Sequence, residues 1–155
     1  MTLSVQLEKR SDVDTKLELT LRVARALQRV ANNRRVLPYA KFHALFEGPV
    51  PLCKRYQALE SAVGVLGDLT EIDYGALLAC DNGLPGPDFF QRFRRYRLDD
   101  FVAIMGDPRF CSQSRKLQRV LADRERERVY AHVAAHATGG TLEAVSVADE
   151  RIYCV

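Results

Sequence analysis

Several protein classes are excluded by what the sequence lacks. No window approaches the roughly 18 consecutive apolar residues of a membrane span, and the longest runs, such as Phe101–Met105, are core-sized. The opening MTLSVQLEKR has no basic head followed by an apolar stretch and a small-residue cleavage site, so the expectation is a cytoplasmic protein with no membrane partner. Cys53, Cys80, Cys111 and Cys154 lie far apart, with no CxxC pair. A zinc module would show close ligand pairs, and a disulfide framework usually belongs to a shorter secreted chain. The four cysteines are therefore predicted to be reduced and mostly buried.

Catalytic signatures are missing as well. His132 and His136 are four apart and would share a helix face, but Val-Ala-Ala separates them where HExxH requires a Glu. His43 has no partner in sequence. Neither a nucleophile elbow nor a phosphate-binding glycine loop is present. Members of a triad meet only in space, so sequence alone assigns no catalytic residue, no metal ligand and no cofactor. There is no internal repeat, low-complexity tract or long linker.

What is present is an ordinary globular balance: 155 residues, 47% apolar and 28% charged, the size of one domain with its own core. Thr15-Lys-Leu-Glu18 has capping-box spacing, and Leu17, Leu21, Ala24, Leu27, Val30 and Ala31 recur at three and four. A helix over 14–31 follows, with residues 1–11 frayed. Pro38 suits the first turn of a helix over 38–47, which Gly48 ends. Pro49-Val-Pro51 leads into a third helix over 51–66, so this pair fits a helix-turn-helix or any compact helical hairpin. Ala76–Cys80 reads as a buried strand, followed by the turn residues Asp81-Asn-Gly83 and Pro85-Gly-Pro87. Helices are predicted over 88–97 with Asp88 as cap, over about 98–105, and over 113–136 until Gly139-Gly140 closes the last. Thr141–Val147 and Arg151–Val155 look like a terminal β-hairpin.

Charge is segregated along the chain. Residues 28–56 carry Arg29, Arg34, Arg35, Lys41, Lys54 and Arg55 against Glu47, and residues 57–91 hold six acidic residues and no Lys or Arg. Residues 92–119 return to eight basic against three acidic. Such blocks fit either a polyanion-binding face or basic and acidic segments that neutralise each other in the fold. Arg92, Arg94, Arg95 and Arg97 interleave with Phe90, Phe93 and Tyr96, a pattern that can grip nucleic acid. The structural alternative turns the aromatics to the core and leaves the arginines in solvent. The alternating run Arg124–Arg128 suits an exposed face with ion pairs such as Arg124 with Glu127.

Tyr39, Arg55, Ala58-Leu59, Leu77-Leu78 and Asp81-Asn-Gly-Leu-Pro-Gly86 follow one another in an order that resembles the winged-helix domain of the alkylguanine-DNA alkyltransferase and alkyltransferase-like family. The likeness covers residues 39–86, with Arg55 out of register by a short gap. The family's Pro-Cys-His-Arg element would fall at Asp73-Tyr-Gly-Ala76, so Tyr74 stands where the alkyl acceptor should be and alkyl transfer is not implied. The resemblance implies a winged-helix-like centre and DNA contact through the helix bearing Lys54 and Arg55. The overall expectation is a mostly α domain with a small β component (α+β), its winged-helix-like centre flanked by long helices. The expected function is a non-catalytic module that contacts double-stranded DNA through Arg34, Arg35, Lys54 and Arg55. The alternative is a protein-interaction module, such as an immunity, adaptor or regulatory subunit, matching a protein partner by charge.

Overall fold

A computed structural model describes residues 2–107, 109 and 114–154, with side chains over 15–107, 109 and 114–137. In chain order the elements are α1 (Thr2–Asn32), β1 (Leu37–Pro38), α2 (Tyr39–His43), α3 (Leu52–Leu66), a 3-10 turn (Tyr74–Leu77), β2 (Leu78–Ala79), α4 (Pro87–Tyr96), α5 (Leu98–Met105) and α6 (Arg115–Cys154). Helix makes up 70% of the chain and the two strands are short, so the molecule is mostly α with a small β part.

Helix spacing builds the main core. On α1, Leu19, Val23, Leu27 and Ala31 are buried at intervals of four. They pack along α3, where Ala58, Leu59, Ala62 and Val63 are buried and the small residues let the two helices approach closely. The buried stripe is rotated from the predicted one, because Leu17 and Leu21 stay exposed at 57% and 38%. Phe42 and Phe46 from the α2 region, Leu77 and Leu78, and Val129 and Tyr130 of α6 close this core. A second cluster forms where α4 and α5 meet α6, from Phe89, Phe93, Phe101, Met105 and Leu121. Full burial of a side chain such as Phe42 or Phe89 contributes about 1.5–3 kcal/mol.

The β part is one parallel pair, Leu37 opposite Leu78 and Pro38 opposite Ala79. Pro38 has no amide to extend a ladder, and Arg126 occupies the carbonyls of Ala76 and Leu78 from the side. The predicted strand over Ala76–Cys80 is therefore shortened to Leu78–Ala79, its first two residues belonging to the 3-10 turn, which is started by Asp73, whose carboxylate accepts from the Gly75 N–H at 2.7 Å. A wing is an antiparallel hairpin. The described residues contain only this parallel pair, and residues 81–86 form a turn closed by the Cys80 N–H donating to the Leu84 carbonyl.

The chain ends depart most from expectation. α1 runs from Thr2 in place of a frayed 1–11, and Thr15 lies inside it. No Gly or Pro occurs before Pro38, and extending a helix costs less than nucleating one at a new cap. At the other end, α6 continues to Cys154 where a hairpin over 141–155 was predicted. Gly139 and Gly140 lower helix propensity by about 1 kcal/mol each but do not stop it. Leu142, Val145, Ala148 and Ile152 also recur at three and four, a helical spacing that the local alternation of Val145 and Val147 hides. Pro38 precedes α2 as its N-cap, and the cap of α4 is Gly86, with Pro87 opening the helix and Asp88 in its first turn.

Candidate functional site

Part of the charge segregation is neutralised inside the molecule. Arg92 and Arg97, expected in solvent, are 5% and 6% exposed. Arg92 clamps Asp73 through two hydrogen bonds, Nε to Oδ2 at 2.6 Å and Nη2 to Oδ1 at 3.0 Å, and reaches Glu60 at 2.7 Å. Burial works against its charge, but Asp73, Glu60 and Asp88 outweigh burial and hold the guanidinium above its ordinary pKa. Arg97 lies 3.9 Å over the Phe93 ring and donates to Glu125 Oε1 at 2.6 Å, which also accepts the Asp73 N–H. Burial pushes the Glu125 carboxyl up despite these donors.

Glu125 and Arg126 belong to the run expected in solvent, yet both are buried. Arg126 donates to the carbonyls of Ala76, Leu78 and Gly83, and Arg119 donates to that of Asn82 at 2.8 Å. A helix places residues three and four apart on one side. Arg119, Arg126, Glu127 and Tyr130 therefore make a stripe of α6 that carries the 76–83 segment. At the far end of this stripe Glu127 pairs with Arg34 at 2.8 Å, and the Tyr130 hydroxyl donates to the Arg35 carbonyl.

Two basic clefts lie among the described residues, one on α6 and one on α1 and the segment after it. One, of about 490 Å³, is lined by Arg115, Lys116 and Arg119 together with Asn82, Leu84 and Asp123. The other, of about 330 Å³, is lined by Arg29, Arg35 and Lys41 with Asn33 over a floor of Val36, Leu37 and Leu45. All six cations are exposed. The acidic groups between them already have partners, since Asp123 sits 3.7 Å from Arg126 and Glu127 is on Arg34. Each cleft can engage an anionic group through its three cations.

The four residues singled out in sequence fall in different settings. Arg35 lines the second cleft. Arg34, at φ 51, is held by Glu127 and lies over the Tyr130 ring. Arg55 is half-buried, donating to the Val50 carbonyl at 2.9 Å and touching His43 and Phe46. Lys54 is exposed on the first turn of α3. No side-chain contact among the described residues joins the Arg34–Arg35 pair to the Lys54–Arg55 pair. Sequence reasoning missed Arg29, Lys41, Arg115, Lys116 and Arg119 as cleft residues. Their block charge was a usable signal, but the packing that gathers them on α6 was not.

Other reactive side chains sit in muted settings. Burial, then Asp88, raises the Tyr39 pKa, and this phenol bonds Asp88 and receives the Gly86 N–H. Cys53 and Cys80 are free, and both are exposed where burial was predicted. Partial burial with Asp88 and Asp81 nearby keeps the Cys80 thiol above its ordinary pKa, so it stays protonated and a poor nucleophile at neutral pH. Cys111 and the Cys154 side chain lie outside the described residues. His136 donates Nδ1–H to the His132 carbonyl, while His132 Nδ1 bonds the Tyr74 hydroxyl at 2.7 Å. Comparison of the chain with protein-family models, curated proteins and solved structures returns no match.

Proposed function

We propose that this protein is a non-catalytic DNA-binding module whose contact surface is made by two basic clefts, one on α6 and one on α1 and the segment after it. The observation that carries this reading is the grouping of six exposed cations into two clefts, while Arg92, Arg97 and Arg126 are occupied by internal partners. Phosphate contacts supply most of the sequence-independent affinity of a DNA-binding protein, and each cleft offers three cations for them. The DNA-associated role implied by the alkyltransferase-like resemblance is kept, but its contacts shift from Lys54 and Arg55 to the clefts.

The test is fluorescence anisotropy with a labelled duplex carrying a single-stranded tail. Arg115→Ala with Lys116→Ala, and separately Arg29→Ala with Lys41→Ala, each lower affinity about tenfold at low salt, from roughly 0.7 kcal/mol for each phosphate no longer bound. Lys54→Ala leaves it unchanged. No binding by the unaltered protein, or equal effects of all three changes, defeats the reading.

A protein-interaction role has its own observation. Leu98 and Val102, one turn apart on α5, are exposed at 50% and 37%, with Tyr96 beside them at 43%. A protein partner docked there would be lost on Leu98→Ser with Val102→Ser, changes that leave the basic clefts untouched.

A further inference from the structure

On the reading that the α6 side binds DNA, a third cleft specifies the kind of strand. It measures about 330 Å³ and shares the wall of Asn82 and Leu84 with the Arg115–Lys116–Arg119 cleft. Its chemistry differs from its neighbour's. Pro85, Phe90 and Phe101 give it apolar surface, Gln91 and Gln118 line it with side-chain amides, and Arg94 adds one cation of its own. Neither amide has a hydrogen-bond partner among the described residues. Phe90 is half-buried and packs edge-on against Phe89 with centroids 5.1 Å apart, which fixes its ring at the cleft wall. The turn that lines it is stiff: Pro85 and Pro87 bracket Gly86, whose N–H is tied to the Tyr39 hydroxyl at 3.0 Å, and Arg119 holds the Asn82 carbonyl.

Three features must be matched at once: an apolar slot, amides that both donate and accept, and cations immediately beyond a shared wall. An apolar ligand would leave the amides unpaired on desolvation. A small anion would gain nothing from the aromatic wall. A nucleotide satisfies all three, with its base stacking on an aromatic ring and its edge hydrogen-bonding to amides while phosphates lie on cations. In a duplex the base faces are stacked and unavailable. We propose that this cleft takes one base of an unpaired strand, whose neighbouring phosphates lie on Arg115, Lys116 and Arg119.

The probes are a single-stranded oligonucleotide, the same strand with abasic sites throughout, the corresponding blunt duplex, and the free mononucleotide, each titrated against the intact chain by anisotropy or competition. The expected result is that the single strand binds on the order of tenfold more tightly than either the abasic strand or the duplex, the scale of one stacked base. Gln91→Ala with Gln118→Ala removes that advantage while leaving abasic-strand and duplex affinities unchanged. Phe90→Leu, which keeps the packing against the core, acts in the same direction. Equal affinity for intact and abasic strands overturns the proposal, as does an advantage that survives the Gln91/Gln118 change. A mononucleotide that binds as tightly as the strand overturns it too, by making the free nucleotide the ligand. Duplex and abasic strand binding together with no base effect would leave the DNA-binding reading standing, whereas failure of every nucleic acid to bind would remove both.

Discussion

Arg92 shows how much of this molecule's charge is structural. Its guanidinium is 5% exposed and doubly bonded to Asp73, itself 1% exposed. Removing one member of such a pair leaves an uncompensated buried charge, which costs about 3–5 kcal/mol, far more than an exposed pair contributes. Arg92→Met is therefore expected to lower unfolding stability by about 3–5 kcal/mol in a urea titration, because Asp73 stays behind. Glu60, the other partner at 2.7 Å, has a side chain 53% exposed, and Glu60→Gln should cost no more than about 1 kcal/mol. Equal losses from the two changes would place the stabilising interaction at Glu60. Gly75 belongs to the same arrangement, since a Cβ there would run into the Arg92 guanidinium and lie 2.8 Å from Asp73 Oδ1. None of this was legible in sequence. An Arg between aromatics is usually solvated, and only the approach of Asp73 and Glu125 from distant segments makes the burial of Arg92 and Arg97 tolerable.

Among the elements, the apolar helices were the legible part and the ends were not. Periodicity located α3, α4 and α5 to within a residue or so, since Pro51, Gly67, Pro87 and Gly106 mark their ends. It failed for α6, where two glycines suggested a stop. The same helix carries a pH-sensitive tie. The His132 imidazole bonds the hydroxyl of the buried Tyr74, joining α6 to the 3-10 turn. Burial first, and the neighbouring His136 second, lower the His132 pKa below its ordinary 6.5, with Glu71 opposing. A base whose folded pKa is depressed binds fewer protons when folded, so its stability is complete above 6.5 and is lost as pH falls through the folded value. His43 is lowered too, by burial and Arg55, so both act in one direction. Unfolding stability should thus decline as pH drops below about 6.5, with His132→Gln making the decline shallower and His43 accounting for the remainder. A decline unchanged by His132→Gln would assign it elsewhere.

For the whole molecule, part of the charge behind the net +3 is internal: Arg92, Arg97 and Arg126 are buried, the first two paired with the buried Asp73 and Glu125. Exposed cations remain on α6 at Arg115, Lys116, Arg119, Arg124 and Arg128, and a second group, Arg29, Arg35 and Lys41, lies on α1 and the segment that follows it. The block charges left open either a polyanion-binding face or neutralisation in the fold, and the packing of α6 against α1 and the 76–83 segment accounts for part of the neutralisation. Counterion release gives this arrangement a quantitative signature, since each phosphate bound contributes about 0.9 to the slope of log affinity against log salt. If both clefts meet DNA at once, Arg115→Ala with Lys116→Ala should lower that slope by about 0.9 for each phosphate released, and Arg29→Ala with Lys41→Ala should do the same. No side-chain contact among the described residues joins the two pairs, so independent action makes the quadruple change lower the slope by the sum of the two. Alternative use of the clefts predicts a different pattern: either pair alone would shift the slope little, because the other would take the strand, and only the quadruple change would abolish it. Anisotropy titrations at several salt concentrations separate these outcomes, and additive slopes are the result expected of one DNA touching both clefts at once.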